Sequence, residues 1–277
     1  MPLTPPPQIM GILNLTPDSF SDGGRFTSTD QACDVALQMV ENGAHIIDVG
    51  GESTRPQAKP VDIQEEKNRV IPLIEQLRKK SPVSISIDTT KAAVAKQALE
   101  AGATIINDVS GLTADPEMKH LVKHARCQVV IMHSRGTPQT MDMRANYDDV
   151  IQTVYGELLL RVQSALDAGI RKEQIIIDPG FGFAKNTDHN LILLQRLEAF
   201  KSMGFPLMVG LSRKRFIGQI TNQEEPTKRV IGSVTANMIA LMKGATILRV
   251  HDVKETMQMV KMVRAIHELP LHKKGEQ

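Results

Sequence analysis

The sequence predicts a single-domain (β/α)8 barrel, the TIM-barrel class of α/β folds, spanning residues 1–277. A short proline-rich N-terminal tail (1–8) and a flexible C-terminal tail (270–277) flank it. Three observations lead there. Eight apolar runs alternate with amphipathic helical patterns from end to end. Each run is continuous rather than alternating, as a parallel strand buried on both faces should be. And a Gly-Ala pair, Gly43-Ala44, Gly102-Ala103 and Gly244-Ala245, precedes strands two, four and eight, where glycine suits the left-handed end of a helix. The main alternative is an open doubly wound sheet. That fold needs a dinucleotide glycine fingerprint after strand one, and Asn14-Leu15-Thr16-Pro17-Asp18 carries none.

In chain order the strands are expected at Ile9–Asn14, His45–Gly50, Val83–Asp88, Thr104–Val109, Gln128–His133, Gln174–Asp178, Leu207–Leu211 and Thr246–His251. Helical patterns fill the gaps. Val150, Val154, Leu158, Val162 and Leu166 recur at a spacing of four, which lines one face of a helix. Ser28 or Thr29 offers a cap for the helix running toward Glu41. Pro72 falls inside the Ile63–Lys80 pattern, so that helix is expected to start late or kink.

Composition excludes several classes of function. The 33 basic and 31 acidic residues leave a formal net charge of +2, which supports neither a nucleic-acid nor a membrane surface. No stretch reaches the roughly 20 apolar residues of a membrane helix. Residues 1–8 lack the basic and apolar segments of a signal peptide. Cys33 and Cys127 stand far apart without a partner motif, which fits buried thiols in a reducing cytoplasm. Trp is absent and Tyr occurs twice, so a base-stacking platform is not expected.

In a barrel the C-terminal strand ends converge on one mouth. Here they supply Asn14, Asp48, Asp88, Asn107, Met132 with His133, Asp178, and Arg249 with His251, and Lys214 follows strand seven. One buried aspartate is more often a cap or a structural hydrogen bond. So many polar groups at one mouth are costly unless paired or engaged by a ligand. In Asp178-Pro-Gly-Phe-Gly-Phe183 a carboxylate is followed by glycines that permit close approach. It can accept from an N–H and an adjacent amino group together, while Asn107 offers donor and acceptor on one amide. Lys214, in Gly210-Leu-Ser-Arg-Lys-Arg-Phe-Ile-Gly218, can donate to a ring carbonyl, although Arg213, Lys214 and Arg215 could also form a solvated basic turn. Arg249 and His251 alternate on one face of strand eight and can meet a diphosphate. Two glycine-bearing polar loops complete the set. One runs from Asn14 through Phe20 and Asp22 to Gly24, and the other from Asp48 through Glu52 to Thr54-Arg55-Pro56.

The first loop resembles the N-terminal signature of the dihydropteroate synthases, and the resemblance extends through six separated motifs from Met10 to His251. It implies an enzyme that joins 6-hydroxymethyl-7,8-dihydropterin pyrophosphate to p-aminobenzoate. By matching motif, Asp88, Asn107, Asp178 and Lys214 correspond to the pterin-binding set. Met132, Phe183 and Arg249 correspond to residues that pack around the pterin ring in that family. Asn14 corresponds to the Mg²⁺ and pyrophosphate ligand, with Asp22 assisting, and Arg249 and His251 to the anion site. Phe20, Thr54, Arg55, Pro56, Phe183 and Lys214 correspond to the family's p-aminobenzoate environment. Asp22, Asp88, Lys214 and Arg249 are the catalytic expectation. Some members carry serine after the motif lysine where this chain has Arg215, which bears on how the aminobenzoate carboxylate is held. The resemblance also implies a homodimer. Corrinoid-linked methyltransferases share the barrel and the pterin set. They need neither a diphosphate site nor the Ser-Arg-Lys segment, so the first loop and Arg249-x-His251 favour the synthase over them. A silent pterin-binding paralogue is disfavoured by the intact motifs.

Overall fold

The structure, a computed structural model, describes residues 6–15, 29–53, 58 and 60–268. Eight parallel strands follow one another around a barrel in the order β6-β5-β4-β3-β2-β1-β8-β7. They are β1 (Gln8–Asn14), β2 (Ile46–Gly50), β3 (Ser84–Asp88), β4 (Ile105–Asp108), β5 (Gln128–Met132), β6 (Ile175–Asp178), β7 (Met208–Val209) and β8 (Ile247–Val250). A parallel bridge between Ile177 and Leu207 joins β6 to the start of β7. The Ile177 N–H donates to the Pro206 carbonyl there at 3.0 Å. All eight expected strands are present, most of them shorter than their apolar runs. β7 is shortest because Pro206 offers no amide proton to a ladder and the chain leaves the sheet at Gly210.

The helices among the described residues are α1 (Thr29–Glu41), α2 (Ile63–Lys80), α3 (Ala92–Glu100), α4 (Glu117–His124), α5 (Val150–Asp167), α6 (Thr187–Gln195), α7 (Arg215–Thr221), α8 (Val230–Met242) and α9 (Val253–Glu268). The seventh unit thus carries two helices, α7 and α8. Asp149 caps α5 by accepting from the Ile151 and Gln152 N–H groups at 2.8 and 3.0 Å. Val150, Val154, Leu158 and Val162 turn inward from α5 as their spacing requires. The cap expected at Ser28 lies outside the described residues, and Thr29 already stands within α1.

Of the late start or kink expected at Pro72, the late start is corrected. α2 begins at Ile63, capped by Asp62, and continues to Lys80 with the proline inside it. Pro72 and Asn68, whose carbonyl loses its donor, both lie on the exposed face, where solvent is open to the freed acceptor. The Gly-Ala repeats are helix ends as expected. At each, the glycine N–H closes a short turn and the alanine N–H reaches back five residues, as in Ala44 to Met39 and Ala245 to Ala240. Gly169-Ile170 is a fourth example of the same turn.

Two cores result. The larger lies between the strands and the helices. The smaller plugs the barrel and consists of Met10, Ile46, Ile105, Val130, Ile176, Met208 and Ile247. Side chains alternate along a strand, so the residues two positions later face the same interior, one layer closer to the mouth. Those residues are Ile12, Asp48, Asn107, Met132, Asp178, Gly210 and Arg249. The plug is therefore the apolar floor of a polar chamber.

Candidate active site

Arg249 is the hub of that chamber. Its Nε donates to Asp48 Oδ2 at 2.6 Å and one terminal nitrogen donates to Asp88 Oδ2 at 2.7 Å. Asn107 Nδ2 donates to the same Asp48 oxygen at 3.2 Å. All three acceptor and amide side chains are buried. Charge-assisted bonds of this kind hold the guanidinium plane in one orientation. Asp48 and Asp88 raise the Arg249 pKa even though burial works against its charge. Asp88 moves the opposite way to most paired acids. Burial pushes its carboxyl up to about 7, and Arg249 only partly offsets that.

Asp178 ends β6. Its Oδ1 accepts the Gly180 N–H at 2.7 Å, and burial pushes its pKa up while that N–H and Lys214 pull it down. The turn after it is tight. Gly180 adopts φ +71, and a Cβ there would stand 1.9 Å from the His133 carbonyl oxygen. Lys214 caps α7 with its backbone in the extended region. Its ammonium lies 4.6 Å from the centre of the Phe183 ring, a cation–π distance. Burial, with Arg249 adding repulsion, lowers the Lys214 pKa to about 8. Met132 is buried on the interior face of β5.

Asn14 ends β1 opposite Gly50. A Cβ on Gly50 would lie 3.1 Å from Asn14 Oδ1 and 3.5 Å from Asp88 Cβ, so glycine there lets the Asn14 amide sit beside the Asp88 end of the chamber. His251 pairs with Ser212, whose Oγ lies 3.1 Å from the His251 backbone nitrogen and 3.0 Å from Nδ1. The basic triplet divides three ways. Arg213, at φ +57, is locked to Asp252 at 2.6 Å. Lys214 enters the mouth. Arg215 is exposed and paired with Asp142 at 3.2 Å. The solvated turn thus accounts for Arg215 alone.

The structure brings together Asn14, Asp88, Asn107, Met132, Asp178, Phe183, Lys214, Arg249 and His251 at the strand ends and the loops after them. Phe20, Asp22, Thr54, Arg55 and Pro56 lie outside the described residues. Sequence reasoning placed Asp48 at a strand end but gave it no role. Its partner Arg249 is 201 positions away, and only barrel closure joins them. It also passed over Lys185, whose sole sequence signal is a lysine two residues beyond the Asp178–Phe183 run.

Besides the Ser86 hydroxyl, which stands in register with Asp48, a carboxylate and an amide oxygen in the chamber remain open. Asp48 Oδ1 and Asn107 Oδ1 are buried with no hydrogen-bond partner among the described residues. Unpaired buried acceptors are rare in proteins, and here they call for a ligand rich in N–H donors. Among the described residues no three His, Cys, Asp or Glu side chains cluster as metal ligands. None of the described helices is long and apolar enough to cross a membrane.

Comparison with known proteins agrees with this chemistry. The family model described as "Pterin binding enzyme" matches residues 10–251. The dihydropteroate synthase of Synechocystis sp. is 48% identical over 258 residues, 93% of this chain and 89% of that protein. Among solved structures, Xanthomonas albilineans dihydropteroate synthase with 4-aminobenzoic acid has a TM-score of 0.91 at 44% identity, covering 96% of this chain and 95% of its own. The Yersinia pestis dihydropteroate synthase in a sulfonamide drug complex has a TM-score of 0.90 at 44% identity, covering 95% of each chain. The chain belongs to the pterin-binding enzymes, and within them to the dihydropteroate synthases.

Proposed function

We propose that the polar chamber binds the pterin ring and that the chain condenses 6-hydroxymethyl-7,8-dihydropterin pyrophosphate with p-aminobenzoate to give 7,8-dihydropteroate and pyrophosphate. The observation that carries this reading is the chamber's floor-and-ring construction. An apolar plug underlies Asp48, Asp88, Asn107 and Asp178, two of whose oxygens await donors. A pterin edge presents a ring N–H and an amino group side by side, and the Asp178 carboxylate suits that pair. Asn107 takes a neighbouring ring position. Lys214 donates to the ring carbonyl from its place over Phe183. Met132 packs on the ring, and Arg249 lies across it.

The reaction is substitution at the methylene carbon on the pterin. As the carbon–oxygen bond to the diphosphate breaks, positive charge develops on the carbon and spreads into the ring. Asp48, Asp88 and Asp178 are fixed where that charge is stabilised. The arylamine is already unprotonated at neutral pH. Its nitrogen bonds to the methylene carbon as the carbon–oxygen bond breaks, and the proton it then sheds passes to the departing pyrophosphate or to water, so no protein general base is needed. Arg249 of β8 and His251 just past its end face the leaving group. Asn14, with Asp22 from the first loop, would hold Mg²⁺. A single neutral amide among the described residues fits an ion that takes most of its ligands from water and substrate phosphates. When bound, the ion supplies neutralisation of the diphosphate charge. Phe20, Thr54, Arg55 and Pro56, with Phe183 and Lys214, would form the p-aminobenzoate side, where a sulfonamide would compete.

The protein would act as a homodimer in the cytoplasm. The dimer reading rests on an apolar face formed by Leu191 and Ile192 of α6, Ile220 of α7, and Ile231, Met238 and Met242 of α8. These helices pack side by side, and an exposed apolar patch of this kind marks an interface. The compartment rests on two free, buried thiols.

Mass spectrometry of the reaction mixture tests the function. Dihydropteroate should form with both substrates and Mg²⁺, and not when either substrate is omitted. A methyl transfer from methyltetrahydrofolate in its place would favour the corrinoid-linked reading.

A further inference from the structure

Behind the Asp178 turn lies a buried charge that the reaction does not use. Lys185 is 3% exposed. Its Nζ donates to the Gly180 carbonyl at 2.9 Å and to the Phe183 carbonyl at 2.9 Å, and lies 3.0 Å from His133 Nδ1. Three acceptors thus meet the three protons of one ammonium. No carboxylate touches it among the described residues, although burying an ammonium is expensive without compensation.

The backbone is built around this point. Gly180, Gly182 and Ala184 alternate in the left-handed region at φ +71, +81 and +49. Ala184 occupies it at a cost that glycine would not bear. The curl aims the carbonyls of residues 180 and 183 at one spot, where the ammonium reaches both and joins the Phe183 N–H (3.2 Å) on the Gly180 oxygen. Asn190 braces the outer side, accepting the Gly182 N–H at 2.7 Å.

His133 links the ammonium to a second charge. With Nδ1 accepting from Lys185, the ring proton is assigned to Nε2, which reaches Glu157 at 3.0 Å. Burial lowers the His133 pKa to about 4, so it stays neutral between the two charges. Glu157 is held in turn by Arg135. The His133 bond, then the Arg135 bonds, keep the Glu157 pKa down at about 2 against partial burial.

We propose that Lys185 is a positioning residue of the pterin site: its ammonium gathers the Gly180 and Phe183 carbonyls and His133, and so sets the Asp178 carboxylate and the Phe183 ring for the substrate. The inference rests on the pterin reading given above. It adds a residue that touches neither substrate nor reacting atoms. Asp178 depends on the turn because Gly180 N–H holds one of its oxygens. Phe183 depends on it because its own carbonyl is one of the three acceptors. The groups facing Lys185 are His133, Asp178, Glu157 and Arg161, Lys214, and His189. Burial lowers its pKa to about 7, with Asp178 and Glu157 working to raise it.

Lys185→Met tests the inference, with 6-hydroxymethylpterin and inorganic pyrophosphate as separate calorimetric probes on the full chain. Wild-type pterin binding checks the underlying reading, and its absence would overturn that reading rather than the role of Lys185. With wild-type binding established, Lys185→Met should weaken pterin affinity about tenfold or more while pyrophosphate affinity stays within about twofold. Equal loss of both, or pterin affinity unchanged, would overturn the inference. Glu157→Gln, which changes a partly exposed side chain, decides the matter if Lys185→Met does not fold. Wild-type pterin affinity should fall as pH rises through about 7, where Lys185 loses its proton and Asp88 titrates as well, so the Lys185 share is read from the variant. Glu157→Gln should move that fall to lower pH, because Glu157 contacts His133 and Arg135 and not Lys214 or Asp88. An unmoved pH profile would overturn it.

Discussion

Asp178 and Asp88, both assigned to the pterin in the proposed function, differ in what surrounds them. Asp178 relies on a backbone N–H and Asp88 on Arg249. Asp178→Asn keeps the shape and places an NH₂ where an acceptor is needed. Pterin affinity should fall by about 2–4 kcal/mol because buried donors would face each other, and calorimetry reads this directly. Asp88 makes a stability prediction. Its folded pKa of about 7 stands above the ordinary 3.8, so the folded state holds the proton more tightly than the unfolded chain. Its stabilising contribution is complete below about pH 4 and is lost as pH rises toward 7. Asp88→Asn should flatten that part of the stability–pH curve measured by urea unfolding at several pH values. A curve with unchanged slope would show that Asp88 is already ionised in the folded protein.

At the scale of elements, α2 carries a proline that a helix should reject. It is tolerated because Pro72 and the carbonyl it deprives both face water. Pro72→Ala restores one N–H donor and should raise stability by about 1–3 kcal/mol, reduced by the freedom the unfolded chain regains. A thermal midpoint unchanged or lowered would count against this account of the helix. The strands were legible because each is a continuous apolar run, and the helix ends because glycine stands where the left-handed turn falls. What the runs hid is that each has an inner and an outer face. Ile46 and Asp48, Ile105 and Asn107, and Ile176 and Asp178 are floor and ring of one chamber. The alternation was masked because the outward residues, such as Ile47, Ile106 and Ile177, are equally apolar and pack on the helices.

For the whole molecule, the polar strand ends were legible one by one, and their wiring was not. Arg249 to Asp48, Arg249 to Asp88, and Lys185 to His133 cross between strands far apart in the chain. The Arg249 pairs form only once β8 joins β1, and the Lys185 pair only once β6 lies beside β5 and the loop after it curls back. The apolar face on α6, α7 and α8 is likewise a product of helix packing. Ile231 on it is 83% exposed, and if the protein is the proposed homodimer through this face, Ile231→Glu should dissociate it without unfolding the barrel. Sedimentation would show a monomer if the face is the interface, and an unchanged dimer if it is not. The central claim is that one chamber binds the pterin and releases its diphosphate to an arylamine. The most direct test is the rate of pyrophosphate release from the pterin pyrophosphate with Mg²⁺, measured against p-aminobenzoate concentration for the wild type and Asp178→Asn. The account predicts saturable, aminobenzoate-dependent release in the wild type and severe loss in the variant. Release that is absent, independent of aminobenzoate, or undiminished in Asp178→Asn would contradict it.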